Sequence, residues 1–369
     1  MGKYGKKNHV SLNPLDANIC LLGLPKIGKT TIMKQVAEKL VGDNYLFLEM
    51  YRENGAKYIE DIVYENVPDW DTFVDIIDDI VENKTTDYPD LKVVFIDTID
   101  NAIQLAEQES IRLWNRENPS KRTDAINAAW GGFQKGQDKA IDLLQEQWFR
   151  LREVGVAFSL LGHVRQTTVT DPITLDTYQQ ITSDVSQRYF NQIKKNIDLI
   201  GIAYIDREIT KEKTGQKNIV TGKEKEVNKV TFEARKIKFR DSNYCVDSGG
   251  RMSEIVEEIN FDPDEFIKAM QDALEAEVKK SGKSISDRKN ENAAAEEERM
   301  KQIAEVEAAN KVKKELDEIN EKIKAYCVEH KSKPADLKPL IDAAKAHGLK
   351  NPTSAEDVET AKAILSAVA

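Results

Sequence analysis

The sequence predicts an α/β fold, a mostly parallel central sheet flanked by helices, with a helical extension at its C-terminal end. Three observations carry this. Short, nearly continuous apolar runs recur from residue 18 to residue 205, as strands do when both faces are covered. Helical patterns such as "TTIMKQVAEKL" and "AIDLLQEQWFRLREVG" separate them, and strand, helix, strand in repetition means parallel pairing through crossovers. Beyond about Lys279 the composition shifts to Glu, Lys and Ala.

Residues 1–17 read as a flexible polar leader to a main domain over 18–278. The runs "NICLLG" (18–23), "YLFLEM" (45–50), "KVVFID" (92–97), "VAFSLLGHV" (156–164) and "IDLIGIAYI" (197–205) are the predicted strands. The stretch 208–250 is rich in lysine and turn residues. Its alternating pieces, Lys229 to Ala234 and Lys236 to Arg240, suggest a basic β-hairpin or edge strands. Asp262-Pro263-Asp264-Glu265 starts a helix, with Pro in the first turn. Segment 279–333 reads as a polar linker that becomes a charged helix or short coiled coil, with a thin stripe of Ile303, Val306, Val312, Leu316, Ile319 and Ile323. A small module, 334–369, holds two short helices, with Gly348 stopping the first and Ser354 capping the second.

Composition narrows the function. The chain has 369 residues, 40% apolar, so a sizeable core forms, and a net charge of -10 argues against a uniformly basic nucleic-acid coat. The scattered Cys20, Cys245 and Cys327 make no C-x-x-C pair, which excludes a zinc knuckle or a disulfide framework and fits reduced thiols in a cytoplasm. No apolar run approaches the roughly 20 residues that span a bilayer. The expectation is a soluble, cytoplasmic protein without a membrane partner.

The chemistry lies first in Gly23-Leu24-Pro25-Lys26-Ile27-Gly28-Lys29-Thr30, which matches G-x-x-x-x-G-K-[ST] between a predicted strand and a predicted helix and is followed by Thr31. Such a loop wraps a phosphate chain with backbone N–H groups, so side chains vanish at the close approaches, Gly23 and Gly28. The helix start turns free N–H groups and its positive end to the anion. Lys29 reaches the β and γ phosphates, and the Thr30 hydroxyl ligates magnesium. In "KVVFIDTID", Asp97 ends an apolar run at a strand tip, where ligands of open α/β sheets bind. It holds the metal or caps the next helix. Thr98 follows it, so a base must come from another strand tip. Glu53 is preferred because Gly55 turns the chain away beside it; Glu49 is the second choice, and a plain surface glutamate is the alternative. In "LLGHVRQTTV", His163 at a strand tip either senses the γ phosphate or is an ordinary loop histidine. Lys194, Lys195 and Arg207 are either cations acting on a neighbouring subunit's nucleotide or solvated charges.

The series GLPKIGKTT, ENG, VVFIDTID, WGGFQKGQDKA, LLGHVR and IDLIGIAYIDRE resembles the phage-encoded P-loop ATPases of the RecA-like class, some of which act as single-strand annealing recombinases, over roughly residues 17–265. By matching position the resemblance implies ATP and Mg2+ bound by Lys29 and Thr30, Asp97 as the Walker B acid, Glu53 as base and His163 as sensor. RecA-type proteins usually carry glutamine at that last place. It also implies a homo-oligomer acting on single-stranded DNA. Trp130-Gly131-Gly132-Phe133-Gln134-Lys135-Gly136 offers aromatics and a lysine for such a strand, or is a tight turn around a buried Trp. The basic 211–240 stretch lines a backbone groove or is a solvated hairpin, and the terminal helices suit phage or host recombination and replication proteins. A small-molecule P-loop kinase would need an arginine-rich lid, and 112–122 supplies only a loose set, Arg112, Arg116 and Arg122. A nucleotide-switched assembly protein is the other alternative.

Overall fold

The computed structural model describes residues 10–170, 175–217, 224–240, 245, 247–331 and 334–368. Side chains of residues 209, 211–217, 224–229 and 334 lie outside the description, so the sequence expectations for most of the basic stretch and for residues 1–9 of the leader do too. The chain divides into two compact units, residues 1–81 with 90–296, and residues 82–89 with 297–369.

The first unit is built on one sheet. Its strands are β1 (Ile19–Gly23), β2 (Tyr45–Met50), β3 (Tyr64–Val67), β4 (Val93–Asp97), β5 (Ala157–Thr170), β6 (Thr177–Ser183), β7 (Leu199–Lys217), β8 (Glu224–Lys238), β9 (Gly249–Gly250) and β10 (Glu258–Asn260). Its helices are α1 (Lys29–Val41), α2 (Trp70–Glu82), α3 (Ile99–Glu117), α4 (Lys135–Glu153), α5 (Gln187–Ile193) and α6 (Pro263–Lys280). The spatial order is β10-β8-β7-β1-β5-β4-β2-β3, with β7, β1, β5, β4, β2 and β3 parallel. The expected α/β fold with a mostly parallel sheet and a helical C-terminal region is therefore present.

The apolar runs are continuous because both sheet faces are buried. Leu21, Phe47 and Phe95 sit in one core with Ile32, Met33 and Val36 of α1, and the Phe47 and Phe95 rings stack at 4.3 Å. Phe158 points the other way and stacks on Trp148 of α4 at 5.0 Å. Each such ring contributes about 1.5–3 kcal/mol by leaving water, so the parallel strands cannot slip by one residue without reversing these faces. Asp262 caps α6 as expected, accepting from the Asp264 and Glu265 amides, with Pro263 in the first turn.

Several elements differ from expectation. The basic stretch does form an antiparallel hairpin, but both alternating pieces fall, up to Lys238, on one strand, β8, paired with a β7 that runs on to Lys217. Strands β3 and β6 were not anticipated: "YENV" and "TYQQITS" are polar because β3 is an edge and β6 pairs only the outer half of β5. The expected polar linker shrinks to a few residues. Helix α7 (Ile285–Glu329) starts early, because the Ser284 hydroxyl accepts from the Asp287 amide and the Ala and Glu-rich run from 293 to 298 then favours helix.

In the second unit, Ile319 and Ile323 of α7 are buried with Leu340 and Ala344 of α8 (Pro334–Ala346) and Ala361 and Ile364 of α9 (Val358–Ser366). The stripe therefore serves a small helical core rather than a coiled coil, and Val306 and Val312 are exposed. The cap of α9 is Asp357, which accepts from the Thr360 amide; Ser354, the expected cap, instead donates to the Asn351 carbonyl. Among the described residues no helix is long and apolar enough to cross a membrane.

Candidate nucleotide site

The loop between β1 and α1 is shaped by two glycines with different duties. A Cβ on Gly23 would stand 3.0 Å from the Ala203 Cβ of β7 and 3.1 Å from its carbonyl, so this glycine permits two strands to close up. Gly28 has φ 106°, a backbone that L side chains rarely adopt, and the Phe261 ring lies 3.3 Å from where its Cβ would be. Ile27 is buried in the core and anchors the loop, while Pro25, Lys26 and Thr31 are exposed and Leu24 is half-buried.

Lys29, the first residue of α1, is 7% exposed. Its Nζ donates to the carbonyls of Gly23 and Leu24, each at 3.2 Å, so the ammonium lies inside the loop that a phosphate would share. Burial lowers its pKa, and the charges of Asp97, Asp100 and Glu53 work against that. The Thr30 hydroxyl donates to Asp97 Oδ2 at 2.6 Å. Asp97 ends β4, two strands away from β1, with β5 between them. Its carboxyl is pushed up to about 6, first by burial and further by the charges of Glu53 and Glu49; the Thr30 hydrogen bond and Lys29 oppose the shift.

The two glutamates separate. Glu49 stands level with Asp97 in the β2–β4 register, is 3% exposed, and accepts from the Ala56 amide at 2.5 Å. It ties down the loop after β2. Glu53 is half-buried at the same loop, and its Oε1 comes within 3.6 Å of where a Gly55 Cβ would be, against 4.0 Å for Glu49 Oε1. A Cβ at 55 would make only ordinary contact with either carboxylate. His163 stands level with Gly23 across the β1–β5 pair, and its ring Nδ1 lies 3.1 Å from Asp100 Oδ2.

The structure thus gathers Gly23 to Thr31, Glu49, Glu53, Asp97 and His163 at the C-terminal end of the parallel strands. Lys194, Lys195 and Arg207 do not join them. Both lysines precede β7, beyond the opposite end of the sheet, since Leu199 pairs with Ile19 whereas the loop follows Gly23. Lys195 donates to Gln192, and Arg207 pairs with Glu233 at 2.8 Å. Three neighbours were missed from sequence. Asp100 lies in the same "FIDTID" string but reads as an ordinary acid of a helix first turn. Arg235 donates to the Ile27 carbonyl at 3.0 Å and lies over the Phe261 ring, and no short-range signal ties either residue to a loop some two hundred positions earlier.

Magnesium fits this donor set as a shared ligand. Among the described residues no group of three or more His, Cys, Asp or Glu is arranged to hold a metal alone. Thr30 and Asp97 supply two hard oxygens, and magnesium completes such a set with phosphate oxygens and water. The Thr98 hydroxyl beside them is buried without a hydrogen-bond partner, which suits a solvated ion. Four carboxylates, of Glu49, Glu53, Asp97 and Asp100, surround the one buried ammonium, Lys29, while the other loop cations, Lys26 and Arg235, are exposed or engaged by the Ile27 carbonyl.

Comparison with known proteins gives three results. A KaiC-like protein from the hyperthermophilic archaeon Pyrococcus horikoshii OT3 is a distant structural neighbour, at 14% identity and a TM-score of 0.30, covering 61% of this chain and 80% of that one. No curated protein matches in sequence. The AAA domain family matches residues 15–229, more than half of the chain and all of the site except Arg235 and Phe261, and the chain belongs to that family.

Proposed function

We propose that this P-loop domain binds ATP with magnesium and hydrolyses it as a homo-oligomer on single-stranded DNA, in phage recombination, replication or repair. The observation that carries the nucleotide reading is the 2.6 Å hydrogen bond from Thr30 to Asp97, which joins the phosphate loop to the acid of a separate strand. Lys29 compensates phosphate charge, and the helix start supplies amides. The bound metal would neutralise charge developing on the phosphates. Glu53 takes the proton of the attacking water as the water oxygen bonds to the γ phosphorus and the bond to the ADP oxygen breaks. Glu49 is engaged by the Ala56 amide and braces that loop.

The DNA reading is supported by Phe133, a ring 93% exposed, and by basic residues on the β7–β8 hairpin. The assembly reading is supported by Lys194 and Lys195, whose place beyond the opposite sheet end suits a neighbour's nucleotide better than their own. The kinase alternative weakens: Arg112 is bound to Asp71 and Glu109 within its own fold rather than held in a lid. The nucleotide-switch alternative remains the competitor.

The test is phosphate release with and without single-stranded DNA, with assembly state followed in the same samples and Lys29→Ala as control. We expect DNA-stimulated release in the wild type and loss of nucleotide binding or turnover in the variant. Unstimulated or absent release would favour the switch, and wild-type turnover by Lys29→Ala would end the ATPase reading.

A further inference from the structure

We propose that Asp100 is the positioning residue of His163: its carboxylate holds the ring by an Nδ1–H and leaves Nε2 free for the γ phosphate. The role of His163 rests on the ATPase reading above; the pairing stands on its own geometry.

Asp100 is the second residue of α3, a place where an acid ordinarily serves the helix N-terminus. Here both hydrogen bonds of its Oδ2 go to His163 instead, one from the backbone amide at 3.2 Å and one with ring Nδ1 at 3.1 Å. A glycine makes this possible. A Cβ on Gly162 would stand 2.7 Å from Ile99 Cγ2, 2.9 Å from Leu22 Cδ2 and 3.6 Å from Asp100 Oδ2, so only glycine lets α3 settle against β5. The ring and the carboxylate are 28% and 21% exposed, partly shielded from competing water.

An ionised carboxylate only accepts, so the hydrogen bond requires the proton on Nδ1. Nε2 of the neutral ring is then an acceptor, and it meets a phosphate oxygen favourably only after taking a second proton from solvent, which reaches the partly exposed ring. Asp100 lies where the resulting positive charge forms. Glutamine at this strand tip would donate without such a partner, which gives the departure from glutamine a physical companion in the sequence: the histidine comes with its own acid.

Nitrogen-15 NMR of histidine in the nucleotide-free full chain tests the pair. The protein has four histidines, and His163 is assigned by its loss in His163→Gln. We expect the Nδ1–H tautomer in the wild type and in Asp100→Asn, whose amide oxygen still accepts, and Nε2–H in Asp100→Ala. An Nε2–H tautomer in the wild type overturns the proposal. Turnover adds a second readout. Asp100→Asn keeps the hydrogen bond but removes the charge facing the protonated ring, so it should lower kcat about tenfold or more with little change in the KM for ATP, and should have no further effect in a His163→Gln background. Equal losses in both backgrounds would show that Asp100 acts otherwise and would also overturn it. A chain that turns over no ATP defeats the ATPase reading alone, because the tautomer is read without nucleotide.

Discussion

The strand ends around Lys29 and the loop at Trp130–Gln134 break the rules of folding in opposite ways. At the first, charge is buried: Lys29, Glu49 and Asp97 are each at most 7% exposed. At the second, an aromatic ring is exposed: Phe133 is 93% accessible, in a run where Trp130, Gly131, Gly132, Phe133 and Gln134 all have positive φ. Both arrangements cost stability, a few kcal/mol for buried charge and about 1–3 kcal/mol for each strained non-glycine residue. The difference lies in how the cost is met. Inside, ionic and hydrogen-bond partners offset part of it. Outside, a fixed neighbour does: Trp130 donates its indole N–H to the carbonyl and hydroxyl oxygens of Ser110, and its ring packs at 5.8 Å from Trp114. Expected as a tight turn around a buried Trp or as a DNA contact, the segment combines a half-buried Trp with a solvent-facing Phe.

The sharpest break in the inner network is at its glutamates. Glu53→Gln keeps shape and removes the carboxylate proposed as base, so on that proposal the variant should bind ATP and hydrolyse it roughly a hundred- to ten-thousandfold more slowly. Glu49→Ala should act on the fold instead, because the Ala56 amide loses its acceptor, for about 1–3 kcal/mol in a denaturant titration. If Glu49→Gln gives the slow-turnover phenotype and Glu53→Gln does not, the base is Glu49.

Asp97 provides the next effect. In the unfolded chain its carboxyl ionises near 3.8, and in the folded chain at about 6. Folding therefore favours the protonated form, and this contribution is lost as pH rises from 3.8 to 6. The gap corresponds to roughly 3 kcal/mol. Asp97→Asn removes the ionisation, so without nucleotide it should be about 1–3 kcal/mol more stable than the wild type at pH 8 and equal to it below pH ~4. Magnesium and ATP should raise the Tm of the wild type more than that of the variant. A variant less stable at both pH values would show that the ionised carboxylate is no burden.

Legibility followed range along the chain. The phosphate loop and Asp97 were readable because their geometry is local: a strand, a glycine turn and a helix start leave contiguous marks in "CLLGLPKIGKTT" and "KVVFIDTID". The parallel sheet was readable because two-sided burial makes continuous apolar runs. Arg235 and Phe261 were not, since their place at Gly28 depends on the pairing of β8 with β7 and β10. The different surroundings of Glu49 and Glu53 needed the path of residues 53–56. Asp100 was hidden in plain view, because an acid in the first turn of a helix already has a sufficient reason to be there.

The smallest expected effect tests the outer region. Phe133 makes no ring contact among the described residues, so Phe133→Ala should leave the unfolding midpoint and the unstimulated ATPase rate within error. If the strained loop exists to present a stacking surface, the same change should weaken single-stranded DNA binding by about 1–3 kcal/mol, roughly five- to 150-fold, at fixed salt. Phe133→Trp should retain it, because every base has a face to stack. Trp130→Ala should behave differently, lowering stability and DNA affinity together, since that ring anchors the loop to Ser110. Unchanged affinity in Phe133→Ala would remove this loop from the DNA surface and leave its strain without a function. The inner site would be untouched by that result, because its charges are held by partners that do not involve the loop.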